Sequence, residues 1–497
     1  MARILTIDAG TTGVTALIVD EHGGVLSRGY REFPQYFPQP GWVEHDANEI
    51  WSATLEACSQ AFAGSATAPD RLAAIGITNQ RETTVLWERA SLRPIAHAIV
   101  WQDRRTAGRC DELNTDGHAP AIRAATGLVV DAYFSGTKAE WLLDHVAGAR
   151  AAAERGELAF GTVDSWLVAR LTGGAVHATE PSNASRTMLY DIRQGTWSAE
   201  LCELLRVPMS VLPEVRPSAG LFGHTDPDAF HGVRVPVTGI AGDQQAALFG
   251  QGCWAPGTSK NTYGTGSFVL LNTGTQAARS DTLLTTVAWD LGQGLIYALE
   301  GSIFVTGAAI QWLRDGVGMI ADAAETGPLA SSVPDTGDVY LVPAFAGLGA
   351  PWWDPYARGI IVGITRGTTR AHLARAAVEA MCFQTRDVIE VMQVDSGVAL
   401  EELRVDGGAC VMDLLCQFQA DLLGVPVLRP VVHETTAMGA AYLAGLGAGV
   451  WGSTTELEQV WQLDQRFAPT RDAAQADALQ ARWHDALALS RGWAHRG

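Results

Sequence analysis

Lysine is almost missing: Lys138 and Lys260 are the two in 497 residues, and Arg supplies the rest of the 35 basic side chains. With the heavy use of Ala and Gly, this reads as a genome-wide bias and not as chemistry. Positive charge is also scarce overall. The 54 acidic residues leave a net charge of -19, and such a surface repels phosphate backbones and anionic lipid, which argues against nucleic-acid and membrane-surface partners. The seven cysteines (58, 110, 202, 253, 382, 410 and 416) are odd in number, scattered and without paired metal-ligand spacing. A disulfide framework and a zinc site are therefore not indicated, and reduced, buried thiols of a cytoplasmic protein fit better. Long apolar runs are lacking as well. The longest weakly polar stretch, 437–451, is mostly Ala and Gly and falls short of the ~20 apolar residues that a spanning helix needs. Met1 leads almost directly into Ile4-Leu5-Thr6-Ile7, which leaves no room for a basic segment, an apolar stretch and a cleavage site. A soluble protein is expected.

Apolar side chains make up 47% of the chain, far more than one small core uses, so two or more domains are expected. The first thirty residues alternate as half-buried strands do: Ile4–Ile7, Thr15–Val19 and Val25–Arg28, with Gly23-Gly24 turning the chain between the last two. This predicts an antiparallel meander. Asp46-Ala47-Asn48-Glu49 resembles a capping box and precedes Trp51, Leu55, Cys58 and Phe62 at helical spacing, which predicts an amphipathic helix. Leu72–Thr78 returns to a strand pattern, so the architecture is mixed α/β. Near the middle, Val235–Ile240 reads as a strand and Gln244–Phe249 as a helix. Downstream, Tyr263-Gly264-Thr265-Gly266-Ser267 leads into Phe268–Leu271 and echoes Ala9-Gly10-Thr11-Thr12-Gly13 before Thr15–Val19. The halves read as divergent copies meeting near residue 250, and the lack of a low-complexity linker predicts close packing between them.

Several constellations are candidates for chemistry. Asp8 ends a strand before the Gly10–Gly13 turn, where backbone N–H groups and threonine hydroxyls suit a phosphate and the carboxylate suits the water shell of a cation. A plain hairpin connection is the competing reading, and the echo at Gly264-Thr265-Gly266 shifts the balance towards phosphate. Asp243 follows a strand and opens a helix, either as a cleft carboxylate or as a helix cap. A third strand-to-helix junction, Asp406-Gly407-Gly408-Ala409, either offers glycine backbone to an adenine or a ribose or is a plain strand-to-helix turn. Arg81 and Glu82 follow an apolar strand, Trp101 ends the run Ala98-Ile99-Val100, and Tyr133 precedes Phe134-Ser135-Gly136. Aromatic walls beside charged hydrogen-bonding groups are what a polyol needs. Core aromatics beside a solvated loop are the alternative.

The ordered set Pro40–Asp46, Gly76–Thr84, Tyr133–Lys138, Asn183–Met188, Gly239–Phe249 and Gly347–Gly359 resembles the FGGY carbohydrate kinases over nearly the whole chain, and within them those acting on glycerol. The resemblance implies an α/β protein of two actin-like, ribonuclease-H-like ATPase domains, 1–250 and 251–497, each with a mixed sheet and with the ligand cleft between them. It implies ATP, Mg2+ and glycerol as ligands, sn-glycerol 3-phosphate as product, a cytoplasmic setting and an assembly of two or four copies. Glycerol would meet Arg81, Glu82, Trp101, Tyr133, Asp243, Gln244 and Phe268, with Asp243 as general base. The nucleotide would meet Thr11, Thr12, Gly13, Thr265, Gly307, Gln311 and Gly408. Asp8 and Asp243 would flank the metal.

The first turn departs from the usual glycerol-kinase pattern. Ala9 stands in place of Gln, Gly13 and Val14 in place of two Ser, and Thr15 in place of Arg, so that the turn resembles pentulose kinases of the same family more closely. Met412-Asp413 replaces a usual Asn-Asn pair near the adenosine, where Asp413 would repel a nucleotide unless it faces away. Ala132 replaces a usual Pro. Asp228 in the segment 227–232 argues against a sugar-bisphosphate effector, and His231 reads as an ordinary surface histidine.

Overall fold

The computed structural model describes residues 2–65 and 67–495; Met1 lies outside them. Three strands, β1 (Arg3–Ala9), β2 (Gly13–Asp20) and β3 (Val25–Glu32), form the expected meander. The chain then enters α1 (Ala47–Ser65), whose Trp51 and Cys58 are buried. It returns as β4 (Ala74–Asn79), parallel to β1 with Asp8 opposite Thr78. Two later strands, β5 (Ala219–His224) and β6 (Pro236–Gly242), complete a six-stranded mixed sheet in the order β5-β6-β4-β1-β2-β3. Helix α2 (Ser135–His145) belongs to the long excursion between β4 and β5, and α3 (Asp243–Gly250) follows β6 without a break.

The second sheet repeats this plan. β7 (Thr258–Tyr263) and β8 (Ser267–Gly274) make a hairpin. β9 (Leu284–Asp290) and β10 (Leu295–Ile303) extend it antiparallel, and β11 (Glu402–Asp406) lies parallel to β7. With β12 (Val427–Pro430) and β13 (Leu463–Phe467) the order is β9-β10-β8-β7-β11-β12-β13. In both sheets the first strand is central, its hairpin partner lies on one side and a parallel strand on the other. Each hairpin is closed tightly, by Gly10 N–H to the Gly13 carbonyl at 3.0 Å and by Gly264 N–H to the Gly266 carbonyl at 2.9 Å. Helices α4 (Arg370–Ser396) and α5 (Asp413–Leu423) pack against each other beside the second sheet.

The Ala- and Gly-rich stretch near the C-terminus forms α6 (Thr435–Gly447), buried along most of its length. No helix among the described residues is long and apolar enough to cross a membrane. Although it follows β12 of the second sheet, α6 packs on α3 and on strands of the first sheet. Glycine allows that approach. A Cβ at Gly439 would stand 1.8 Å from the Ala246 carbonyl oxygen, and one at Gly76 would stand 2.2 Å from that of Ala440. All seven cysteines are free and buried.

His231 departs from the surface reading. Its ring is half-buried, packs on Phe62 and Phe230 with centroids 5.2 and 4.7 Å away, and burial pushes its pKa down.

Crowding at the α3–α6 contact gives a direct test. Gly439→Ala should cost about 2 kcal/mol of stability, the usual scale for forcing a methyl group into a filled interior. Gly108, which has open space around its Cβ position and lies in the helix Ala107–Thr115, should accept Ala with no loss. Chemical denaturation of the two variants, with unchanged stability for Gly439→Ala as the contrary result, decides this.

Candidate active site

Strand β4 ends at Asn79 and delivers Gln80, Arg81 and Glu82 to the space between the two sheets. Glu82 has φ +60°, a left-handed conformation that costs energy outside glycine. Its carbonyl accepts from Ser135 Oγ at 3.0 Å, at the start of α2, and from Thr84 Oγ1 at 3.1 Å. Arg81 is buried and fully engaged. Nη1 meets Glu300 Oε2 at 2.5 Å and Gln245 Oε1 at 3.2 Å, Nη2 lies 3.4 Å from the Tyr133 hydroxyl, and Nε lies 3.1 Å from Asp243 Oδ1. Arg186, also buried, donates from Nε to Glu82 Oε1 at 2.6 Å and from Nη2 to Glu300 Oε1 at 3.1 Å.

Two guanidinium groups and two carboxylates thus form a buried quartet. Three members come from the first half of the chain and Glu300 comes from β10. Burial alone would push the Glu300 carboxyl up; Arg186 and Arg81 outweigh it and hold the pKa at about 2. At Glu82 burial prevails over the same two arginines, and its pKa is raised.

Asp243 is the first residue of α3, with Gly242 in the capping position, so the cap reading gives way to a carboxylate at the mouth of the cleft. Its Oδ1 accepts from the Gln244 amide at 2.7 Å and pairs with Arg81, while Oδ2 receives no protein donor among the described residues. Burial pushes its pKa up, with Arg81 opposing. Asp8, at the end of β1, is raised to about 7, first by burial and then by the negative charge of Asp243. The negative charge of Asp243 thus disfavours ionisation of Asp8.

Trp101 and Tyr133 form an edge-to-face pair with centroids 5.7 Å apart, and Phe268 lies on β8 beside the cluster that includes Ala246 and Leu270. The Trp101 indole N–H donates to Thr11 Oγ1 at 3.0 Å, which ties this aromatic wall to the first Gly-Thr turn. Behind that turn, Gln80 Nε2 donates to the Gly10 carbonyl at 3.0 Å and Gln35 Nε2 to the Thr11 carbonyl at 2.9 Å. Thr12 is left exposed. Gly13 is the first residue of β2, packed so closely that a Cβ would stand 2.7 Å from the Arg31 carbonyl oxygen.

A cavity of about 760 Å³ opens on the second half of the chain and brings together Thr265, Gly307, Gln311 and Gly408, with Met412 and Asp413 at its edge. The second Gly-Thr turn forms part of its wall, and Gly307 N–H donates to the Gly264 carbonyl at 3.0 Å. Gly408 has open space where a side chain would stand, and Gly407 holds φ +87° with a Cβ position 2.4 Å from the Tyr263 carbonyl oxygen. Backbone therefore lines the cavity where a flat ring could lie. Asp413 pairs with Arg429 Nη1 at 2.9 Å, which offsets the repulsion expected from its charge.

Sequence reasoning missed Glu300, Arg186 and Lys260. Glu300 was visible as a lone carboxylate in the otherwise apolar strand Leu295–Ile303, where a buried charge demands a partner. Lys260, fully buried on β7, donates from Nζ to Gln244 Oε1 at 2.5 Å and to Thr262 Oγ1 at 2.9 Å. Burial lowers its pKa to about 8, with Asp406, Asp243 and Glu300 opposing.

A duplicated mixed sheet, two Gly-Thr turns and a carboxylate between them define a phosphotransferase of the sugar-kinase type, and comparison with known proteins agrees. The FGGY family of carbohydrate kinases, N-terminal domain, matches residues 3–250, and its C-terminal domain matches residues 259–448. The chain belongs to the FGGY family of carbohydrate kinases. It is 56% identical over 497 residues, the full length of both chains, to glycerol kinase 2 of Thermotoga maritima. It is 57% identical over 491 residues, 99% of this chain and 98% of the other, to the glycerol kinase of Deinococcus radiodurans. Among solved structures, the glycerol kinase of Plasmodium falciparum with ADP superposes with a TM-score of 0.92 at 32% identity, covering 99% of this chain and 98% of that one. Xylulose kinase from Rhodospirillum rubrum shares the fold, with a TM-score of 0.87 at 24% identity over 98% of each chain.

The carboxylate pair yields a prediction. In ligand-free protein the Asp8 carboxyl should titrate near pH 7, and Asp243→Asn should lower that midpoint by removing the neighbouring charge. Carboxyl-carbon NMR across pH 4–9 reads both; a midpoint unmoved by the substitution would show that the two groups do not face each other.

Proposed function

We propose that this protein phosphorylates glycerol with ATP, giving sn-glycerol 3-phosphate and ADP. The observation that carries the reading is the aromatic pair Trp101–Tyr133 standing beside Arg81, Glu82 and Asp243, in a chain whose full-length relatives are named glycerol kinases. Carbon faces pack on Trp101, Tyr133 and Phe268, while hydroxyls meet Arg81, Glu82, Asp243 and Gln244. Residues 1–250 supply most of the acceptor contacts and the first phosphate turn, and residues 251–497 supply the nucleotide contacts together with Phe268.

Asp243 is the general base. Arg81 orients it through Oδ1, and its free Oδ2 takes the proton of a terminal hydroxyl as that oxygen attacks the γ-phosphorus. Burial raises its pKa, which makes it a stronger base than a free carboxylate. Phosphoryl transfer depends mainly on alignment and on neutralising charge. Thr11, Thr12, Gly13 and Thr265 supply donors to phosphate oxygens, and Gly307, Gln311 and Gly408 line the nucleotide cavity.

The two facing carboxylates suit a hard dication. No group of three or more His, Cys, Asp or Glu able to hold a metal ion is found among the described residues, so in this reading the chain offers Asp8 and Asp243 and leaves the remaining positions to phosphate and water, as Mg2+ prefers. Bound there, Mg2+ would neutralise phosphate charge.

Asp243→Asn should lower kcat by about 10³-fold, the scale of general base catalysis, with glycerol still bound by calorimetry. Unchanged turnover would overturn the assignment of the base. A panel of glycerol, dihydroxyacetone, erythritol, xylulose and ribulose, read as kcat/KM, tests the acceptor; the pentulose-like first turn makes a faster ketose the contrary outcome.

A further inference from the structure

The chain carries two lysines among its 35 basic residues, and both are fully buried beside the site. Everywhere else in the protein, arginine fills the cationic role. These are positions where a compact ammonium group fits and a planar fork does not. Lys138 spends its donors on the main chain, at the carbonyls of Tyr133 and Phe134. Lys260 instead reaches from β7 to a side chain on α3, the amide oxygen of Gln244.

We infer that Lys260 is a positioning residue that fixes the orientation of the Gln244 amide and so decides which hydrogen bond the acceptor can make there. An ammonium group donates and cannot accept. With Lys260 Nζ at 2.5 Å, Gln244 must turn its oxygen inward, and its NH2 group, which has no protein acceptor among the described residues, faces the opposite way. Thr262 Oγ1 at 2.9 Å holds the ammonium in place from its own strand. The partly exposed Gln244 therefore presents a donor beside the carboxylate of Asp243. A hydroxyl bound at this point accepts from Gln244 and keeps its own proton for a carboxylate. A carbonyl oxygen satisfies the first demand but has no proton for the second. The pair thus selects an alcohol carbon over a keto carbon at that position. This inference rests on Gln244 contacting the acceptor, as proposed above.

Steady-state kinetics on the full-length enzyme tests it. Lys260→Met should raise the glycerol KM about 10-fold, the scale of one charge-supported hydrogen bond, with a much smaller change in kcat and an unchanged ATP KM. In a Gln244→Ala background the same substitution should add no further rise in glycerol KM, because the group through which it acts is gone. Equal effects of Lys260→Met in the two backgrounds, or an unchanged glycerol KM, would overturn the inference. If Lys260→Met fails to fold, Gln244→Glu serves: it keeps the contact with Lys260 but turns an acceptor outward, and an unchanged glycerol KM would be equally fatal. Wild-type enzyme inactive on glycerol would remove the glycerol reading itself, a result separable from any behaviour of the variants.

Discussion

The buried quartet of Arg81, Arg186, Glu82 and Glu300 is the interaction on which the site depends. Two charges of each sign cancel in a buried region, and the arrangement is tolerable because the contacts are short and mutual. Its value is geometric more than energetic. Replacing such a set with apolar side chains often costs nothing in stability, whereas removing one member strands the rest. Here the set fixes Arg81 from several directions at once, and Arg81 in turn fixes Asp243. The proposed base is thereby held by a guanidinium group that is itself fixed from several directions.

The same quartet crosses from one sheet to the other, and it does so beside a second crossing of a different kind. Helix α6 leaves the second half of the chain and lies on the first sheet through glycine contacts with no side chain between. The polar crossing sits at the cleft and the apolar one behind it. The close backbone contacts of α6 resist separation of the two sheets more than they resist small rotations.

Much of the fold was legible in the sequence because its signals are local. Alternation marked β1, β2 and β3, a strand pattern marked β4 and β6, and helical spacing marked α1. The turn echo at Gly10–Gly13 and Gly264–Gly266 anticipated the duplicated sheet. The aromatic and carboxylate members of the candidate site were legible through motif resemblance. What escaped was pairing across long sequence separation. Nothing near Glu300 announces Arg81, 219 residues away, and nothing near Lys260 shows that its neighbour is Gln244 on another element. Asp413 was misleading for the same reason, since its charge is visible in the sequence and its partner Arg429 is not. His231 looked like a surface residue because the rings of Phe62 and Phe230 that cover it converge only in three dimensions.

The hydrogen bond from the Trp101 indole to Thr11 makes the acceptor wall and the first phosphate turn parts of a single jig. Both belong to the first half of the chain and are braced against the same strands, so their spacing is machined into one piece. A shift of one half of the chain against the other would leave the distance between this wall and this turn unchanged, because the bond between them lies within the first half.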